Sequence, residues 1–216
     1  MMPLVLLADA YQGQGNVDLA DAQLGEALRL EPGSAELRVR RGSILLERGR
    51  GADALEFLRE STERAPHEGR LWILRGIAAQ ESGDVADAID ALRRGFEQGV
   101  RDPDARCLLG ALYQQEGRLD EAVTQYEAVL REEGEYPRAN LDLGLAFVAQ
   151  GKYFEARERF ERVLAFDDEN LTAHLALGQL FRNILYDEAQ ALAHLERYQA
   201  LGGDDPRLAE WLDELR

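Results

Sequence analysis

The sequence predicts an all-α protein, a right-handed superhelical α-solenoid of antiparallel helix pairs closed by a C-terminal capping helix. Three observations predict this fold: a period of 34 residues, columns of small residues that keep the period, and apolar stripes of helical spacing between the columns. The 216 residues accommodate six periods of 34 and a remainder of 12. No segment favours a β-strand over a helix.

The period divides the chain into six blocks, residues 1–34, 35–68, 69–102, 103–136, 137–170 and 171–204. Small residues occupy three columns at this step. The columns are Ala8, Gly42, Gly76, Gly110, Gly144, Gly178, then Gly15, Gly49, Gly83, Gly117, Gly151, and then Ala20, Ala54, Ala88, Ala122, Ala156. We therefore expect six tandem copies of one structural unit, followed by the capping helix within residues 205–216.

The fourth block indicates what one unit contains. Two apolar stripes follow each other, Leu108, Leu109, Leu112, Tyr113 and then Leu119, Ala122, Val123, Tyr126, Val129, Leu130. Gly117 lies between them and can adopt the positive φ that ends a helix. Each block is therefore predicted to be a helix, a tight turn and a second helix. Gly110 is expected to face Ala122 where the two helices approach most closely.

Polar residues and prolines mark the boundaries of the predicted helices. Pro103 and Pro137 stand where a first-turn proline is tolerated, and Asp102 is expected to cap the helix that follows it. Arg41 and Arg75 occupy a column that holds leucine in other blocks. We expect their aliphatic stems to lie on the core, with the charged groups in solvent.

The two ends of the array differ from its middle. In the sixth block Leu185 replaces the turn glycine and Ala189 stands one place early, which we interpret as a turn one residue short. The last residues form an amphipathic helix with apolar positions Leu208, Trp211, Leu212 and Leu215. Solenoids need such polar-faced caps. The first block has no helix ahead of it, which predicts an upstream continuation, a partner or a second copy at this end.

Charge and composition exclude several classes of function. The net charge is −16 and no block is basic, which disfavours nucleic-acid and membrane-surface binding. No apolar run is long enough for a membrane span, and the first residues lack the pattern of a signal peptide. We expect a cytoplasmic protein, or a periplasmic one if an N-terminal targeting segment has been removed.

The sequence predicts no enzyme, no metal site and no cofactor. His174 and His194 lie on the two helices of the sixth block, and only Asp187 and Glu188 are near enough in sequence to add metal ligands. Partly buried, hydrogen-bonded histidines are the favoured interpretation. The single cysteine, Cys107, excludes an internal disulfide and has no predicted base beside it.

Several motifs resemble the tetratricopeptide repeat over residues 1–204: Gly110-Ala-Leu-Tyr113, Gly117-Arg-Leu-Asp-Glu-Ala122 with Tyr126, and Leu30-Glu-Pro32. The resemblance implies that the first helix of each unit lines a concave groove. The positions that match this groove are Val5, Asp9, Gln12, Val39, Ser43, Leu46, Arg70, Ile73, Ile77, Gln80, Cys107, Ala111, Gln114, Arg138, Leu141, Leu145, Val148 and Arg182. The columns in which co-chaperone members carry a carboxylate clamp contain no asparagine here, which disfavours that ligand.

The resemblance and the composition of these columns together predict a protein-interaction scaffold. An apolar groove flanked by arginines favours a peptide or helical segment of a partner protein, with apolar anchors and acidic neighbours. The alternative is that part of the column from Val5 to Leu175 is buried between successive units. Two other functions remain open: a self-assembling module that forms a homo-oligomer through the first block, and the regulatory part of a larger enzyme or secretion or assembly machine.

Overall fold

A computed structural model describes residues 2–216, and every regular element in this range is helical. The α-helices are α1 (Met2–Gly13), α2 (Val17–Leu30), α3 (Ala35–Glu47), α4 (Gly51–Arg64), α5 (Gly69–Glu81), α6 (Val85–Glu97), α7 (Pro103–Gln115), α8 (Leu119–Glu133), α9 (Pro137–Ala149), α10 (Tyr153–Phe166), α11 (Leu171–Leu180), α12 (Glu188–Ala200) and α13 (Leu208–Glu214). A π-helical segment, Phe181–Leu185, follows α11 directly. The predicted all-α fold is confirmed.

The chain divides into two compact units, the first ending at Ala105 and the second running from Arg106 to Arg216. In the first unit α1 pairs with α2, α3 with α4 and α5 with α6, and α3 also contacts α5. In the second unit α9 pairs with α10 and α11 with α12, while α8 packs on α9 and α10 on α11. Within each unit, successive helix pairs therefore stack on one another.

The predicted turns and caps are present. Gly15, Gly49, Gly83, Gly117 and Gly151 all have φ between +64° and +78°, and each lies in the turn between the two helices of its block. This backbone region favours glycine because a Cβ atom would be crowded there. At the start of α7 the Ala105 backbone N–H donates to Asp102 Oδ1 at 2.9 Å, so Asp102 caps the helix as expected.

The small residues of the first helix meet large side chains of the second. A Cβ atom at Gly110 would lie 2.5 Å from a ring carbon of Tyr126, and one at Gly144 equally close to Phe160. The same relation joins Gly42 to Leu58, Gly76 to Leu92 and Gly178 to Leu195. The side chain nearest to Gly110 is therefore the aromatic ring one helical turn beyond Ala122. The predicted approach of Gly110 to Ala122 has a counterpart in the third block, where the Ala88 carbonyl oxygen would lie 3.2 Å from a Cβ atom at Gly76.

The sixth block is one residue longer than the others, not one shorter. The π-helical segment has more residues per turn than an α-helix and so takes up one additional residue. Tyr186 then adopts the left-handed conformation with φ +53°, and Asp187 caps α12 by accepting from the Gln190 N–H at 3.0 Å. Ala191 is fully buried whereas Ala189 is exposed, so Ala191 continues the alanine column.

The guanidinium groups of Arg41 and Arg75 do not point freely into solvent, contrary to expectation. Arg75 Nη2 lies 2.6 Å from Asp87 Oδ1, and Arg41 Nε lies 2.7 Å from Asp21 Oδ1. Burial raises the pKa of Asp87, but hydrogen bonds from Arg75 and Arg59 outweigh it and hold that pKa below its usual range. These arginines therefore join neighbouring helices through carboxylates.

The capping helix α13 packs on α12 as predicted. Leu208, Trp211 and Leu212 are buried in a cluster with Leu195 and Tyr198 of α12. The polar residues of α13 lie on its exposed face. This arrangement covers the apolar side that α12 would otherwise expose, which is the role expected of a terminal cap.

The space around two helical glycines, Gly144 and Gly25, predicts opposite effects of their replacement by alanine. Gly144→Ala should lower the free energy of unfolding by about 1–3 kcal/mol, because the new methyl group overlaps Phe160. Gly25→Ala should raise it by about 0.5–1 kcal/mol, because the nearest atoms, in Arg41, lie 3.7 Å away and alanine favours the helix. Urea denaturation monitored by circular dichroism measures both. A stabilising Gly144→Ala would contradict the packing described.

Candidate functional site

The predicted groove positions all lie on the first helices of their pairs, but they divide between the two units. In the first unit they are on α1, α3 and α5, and in the second on α7, α9 and the π-helical segment. Two concavities contain several of them. We name these the α1–α3 concavity and the α9–α11 concavity.

Three predicted groove residues are buried. Val39 is 9% exposed, Ile73 4% and Cys107 0%. The Ile73 side chain lies directly over Gly95 of α6. The burial of Ile73 and Cys107 favours the alternative interpretation, in which part of this column is packed between helices and exposes little to a partner. Val39 is also buried, but it lines one of the two concavities.

The predicted groove arginines are engaged by carboxylates of this chain. Arg70 lies 2.8 Å from Glu36 and 2.9 Å from Glu68, and its hydrogen bonds hold the pKa of both carboxyl groups below their usual range. Arg138 Nε lies 3.8 Å from Asp142 Oδ2. Because their charge is compensated, the arginines give no reason to expect acidic neighbours in a bound peptide.

Arg182 belongs to the capping contact. It forms an ion pair with Glu214 of α13, and its guanidinium group lies 5.6 Å from the centre of the Trp211 ring. Such a cation–π contact stabilises the position of the ring. Arg182 thus helps to hold the C-terminal helix.

The α1–α3 concavity has a volume of about 340 Å³ and mixed polarity. Its lining residues are Ala8, Asp9, Gln12, Leu24, Val39, Arg40, Ser43 and Ile44. Asp9 Oδ1 lies 2.6 Å from Arg40 Nη1, and Gln12 Nε2 donates to Glu47 Oε1 at 2.8 Å. These polar groups satisfy one another across α1 and α3, so they offer little to an additional ligand.

The α9–α11 concavity has a volume of about 260 Å³ and is mainly apolar. Its lining residues are Leu145, Val148, Tyr153, Ala176, Gln179, Leu180, Asn183 and Ile184. Leu145, Val148 and Ile184 are each 36–37% exposed, which is high for large aliphatic side chains in a folded unit. The lining contains no charged side chain, and Gln179 and Asn183 supply amide groups.

The groove columns of the sequence included Leu145, Val148 and Gln179, but they missed Asn183 and Ile184 on the opposite side of this concavity. Asn183 and Ile184 are part of the π-helical segment, which turns them toward α9. The available signal was the irregular spacing of the sixth block. We interpreted that irregularity as a missing residue, which gave no reason to place these side chains in the site.

The remaining predicted groove residues stand outside these two sites or at their margins. Val5, Leu46, Ile77, Gln114 and Leu141 are partly buried, and Gln80 and Ala111 are exposed. Gln114 Oε1 accepts a hydrogen bond from the Tyr126 hydroxyl at 3.4 Å. The structure thus brings together Asp9, Gln12, Val39 and Ser43 in one place and Leu145 with Val148 in another.

His174 and His194 form a hydrogen-bonded pair between α11 and α12. Their Nδ1 atoms are 3.0 Å apart, and His174 Nε2 lies 3.0 Å from the carbonyl oxygen of Asp168. Because a carbonyl only accepts, His174 donates through Nε2 and, when neutral, accepts the Nδ1–H of His194. Burial, and then the neighbouring His174, lower the pKa of His194. The pair is stable when both rings are neutral.

Residues 2–216 contain neither a cluster of metal-ligating side chains nor a membrane-spanning helix. No three His, Cys, Asp or Glu side chains in this range converge in a way that suits a metal ion. None of the helices described combines the length and apolar character that crossing a bilayer requires.

Comparisons with known proteins match the chain to one family. Two family models described as tetratricopeptide repeat match it, one over residues 5–68 and 73–140 and the other over residues 113–180. No curated protein matches the sequence significantly.

Solved structures with the same fold are numerous, and three illustrate the range. A structure of Pseudomonas aeruginosa pilF is 19% identical with a TM-score of 0.79, covering 98% of this chain and 96% of that one. YrrB, described as a TPR protein with an unusual peptide-binding site, is 16% identical with a TM-score of 0.77, covering 87% and 96%. MamA is 24% identical with a TM-score of 0.70, covering 78% and 92%. At these identities the likeness concerns the fold.

The histidine pair predicts that stability falls in mild acid. The pKa of His194 is lower in the folded than in the unfolded state, so the unfolded chain binds more protons as the pH drops below about 6.5. The free energy of unfolding should therefore be highest above this pH and decrease below it. Urea denaturation between pH 8 and pH 5 measures the effect.

Two variants separate this effect from general acid sensitivity. His194→Leu should flatten the pH dependence, because it removes the group with the lowered pKa. His67→Gln is the matched control, since His67 is exposed, and it should retain the full dependence. An unchanged slope in His194→Leu would contradict the assignment.

Proposed function

Because the chain belongs to the tetratricopeptide repeat family, we propose that it is a non-enzymatic scaffold that binds a peptide or helical segment of a partner protein in the α9–α11 concavity. One observation carries this proposal: three exposed aliphatic side chains, Leu145, Val148 and Ile184, surround a concavity with no charged lining residue. Exposed apolar surface of this kind is typical of interaction sites.

The chemistry of the concavity favours a particular kind of ligand. Leu145 and Val148 are three residues apart on α9, and they form an apolar ridge that an aliphatic or aromatic anchor can cover. Gln179 and Asn183, on the facing α11 and π-helical segment, can exchange hydrogen bonds with the backbone of a bound segment. We therefore expect apolar anchors to provide the affinity and the amide groups to fix the orientation.

The fold likeness gives independent support to a binding role. YrrB, one of the structures that shares this fold, is described as having a peptide-binding site. The present chain is 16% identical to it, so the likeness supports the class of function and not the position of the site.

Replacing the two ridge residues with glutamate should abolish peptide binding. Peptides selected from a displayed random library should be enriched in paired apolar residues, and Leu145→Glu with Val148→Glu should weaken their binding at least about a hundredfold, because two charges would be desolvated. Isothermal titration calorimetry measures the affinities. Both side chains are partly in solvent, so the variant should keep its helical circular dichroism spectrum.

Phe154→Glu provides the matched control. Phe154 is an exposed apolar residue of α10 and does not line the concavity, so this variant should bind the selected peptides with unchanged affinity. Equal binding by the wild-type chain and the double variant would exclude the α9–α11 concavity as the binding site.

Self-association is the second candidate function, and exposed leucines on the first helix pair favour it. Leu7 is 40% exposed and Leu19 is 46% exposed. In the third block the corresponding positions are Arg75 and Asp87, which form an ion pair that Arg59 of the preceding helix pair also contacts. The first block thus exposes two leucines at the positions where the third block contacts the preceding helix pair through charged side chains.

Sedimentation velocity tests the second candidate. The wild-type chain should form a concentration-dependent dimer, and Leu7→Glu with Leu19→Glu should shift it toward the monomer, because each buried leucine contributes about 2 kcal/mol. Leu30→Glu, at an exposed leucine near the end of α2, is the control and should leave the dimer intact. A wild-type monomer at high concentration would exclude self-association.

A further inference from the structure

A third concavity, the α8–α10 concavity, lies in the second unit and shares no lining residue with the α9–α11 concavity. It has a volume of about 420 Å³. Its lining residues are Glu127, Leu130, Arg131, Gly134, Glu135, Asn140, Arg159 and Arg162. The lining is rich in charged groups, so its chemistry differs from that of the proposed peptide site.

The α8–α10 concavity lies where one column of first-helix residues has its smallest member, Asn140. The same register in other blocks holds the larger residues Arg38, Trp72, Arg106 and His174. Trp72 fills its position on α5, where its Nε1–H donates to the Pro66 carbonyl at 2.8 Å and Arg94 covers the ring at 4.8 Å. Asn140 is equally buried but leaves space that the corresponding tryptophan would occupy.

Two arginines in the α8–α10 concavity have unused hydrogen-bonding capacity. Arg159 Nε is buried without a hydrogen-bond partner among the described residues, and Nη1 of this side chain donates a 3.5 Å hydrogen bond to Asn140 Oδ1. Arg131 has no carboxylate within ion-pair distance in the part of the chain that the structure describes. A buried guanidinium nitrogen without an acceptor costs free energy, which an oxygen ligand would recover.

The third arginine is paired only in part. Arg162 Nη1 lies 3.7 Å from Glu135 Oε1, at the limit of an ion pair, and Nη2 lies 3.0 Å from Glu158 Oε1. The lining as a whole contains three arginines and two glutamates, Glu127 and Glu135. Glu158 compensates Arg162, so Arg159 and Arg131 remain as the candidate ligand-binding arginines of this concavity.

We propose that the α8–α10 concavity binds one carboxylate group of a peptide, held by Arg159 and Arg131. A carboxylate carries a single negative charge and has the planar geometry that a guanidinium group binds with two parallel hydrogen bonds. A phosphate group carries close to two negative charges at neutral pH and would be repelled by Glu127 and Glu135. The site is independent of the peptide-binding function proposed for the α9–α11 concavity.

Nuclear magnetic resonance of the arginine side chains tests this proposal directly. In the ¹⁵N-labelled chain, the Nε–Hε signal of Arg159 should shift on titration with acetate and should not shift with acetamide, the neutral analogue. N-acetylglycine and N-acetylglutamic acid α-amide distinguish a C-terminal carboxylate from a side-chain carboxylate. Stronger binding by either identifies the source. Inorganic phosphate should bind more weakly than both.

Variants link the signal to the site. Arg159→Gln should weaken carboxylate binding about tenfold or more, which is about 1.4 kcal/mol. Because this variant lacks the Arg159 signal, its binding is followed through the Nε–Hε signal of Arg131. Asn140→Trp with Arg159→Ala copies the Trp72 and Ala91 pair of the third block and should abolish binding by filling the space. Either variant suffices if the other fails to fold.

Arg197→Gln is the matched control. Arg197 is an exposed arginine of α12 that pairs with Glu169 and does not line the α8–α10 concavity, so this variant should bind carboxylates as the wild type does. The proposal is overturned if acetamide shifts the Arg159 signal as strongly as acetate, if phosphate binds more tightly than the carboxylates, or if Arg159→Gln binds with unchanged affinity.

Discussion

The approach of the helices in five of the six pairs depends on one contact, in which a large side chain of the second helix lies against a glycine of the first. The Phe160 ring covers Gly144, and Leu58 covers Gly42 in the same way. A side chain at the glycine position would displace the ring and move the helices apart, because protein interiors leave little free volume. The stacking of pairs within each unit follows from this distance, since neighbouring pairs pack on surfaces that it positions.

The period and the turns could be predicted from the sequence because both are local. A glycine with positive φ ends one helix, and an apolar stripe starts the next, so spacing alone locates Gly117. The contact of Gly110 with the Tyr126 ring could not be predicted in this way. It depends on which large side chain fills the space between two helices, and the spacing of residues in the sequence does not give that distance. The ion pair between Arg75 and Asp87 was missed for the same reason.

The candidate site was predicted in part. The 34-residue period places Leu145 and Val148 among the groove positions, and both are exposed. The period does not distinguish them from buried groove positions such as Cys107. Exposure depends on how closely neighbouring helices pack, which differs between blocks. The α8–α10 concavity was missed, and it lies where one column of first-helix residues has its smallest member. Its signal was present in the sequence, since Asn140 stands where Trp72 and His174 stand in other blocks.

The π-helical segment Phe181–Leu185 accommodates the one additional residue of the sixth block within a single helical turn. In an α-helix each additional residue rotates all later side chains of that helix by about 100°, and a π-helical segment takes up such a residue at the end of α11, before the turn at Tyr186. Here the column resumes at Ala191 and Leu195, both fully buried. For protein engineering, the end of the first helix of a repeat is therefore a place where this chain already accepts one additional residue and still buries the small and large positions of the next helix.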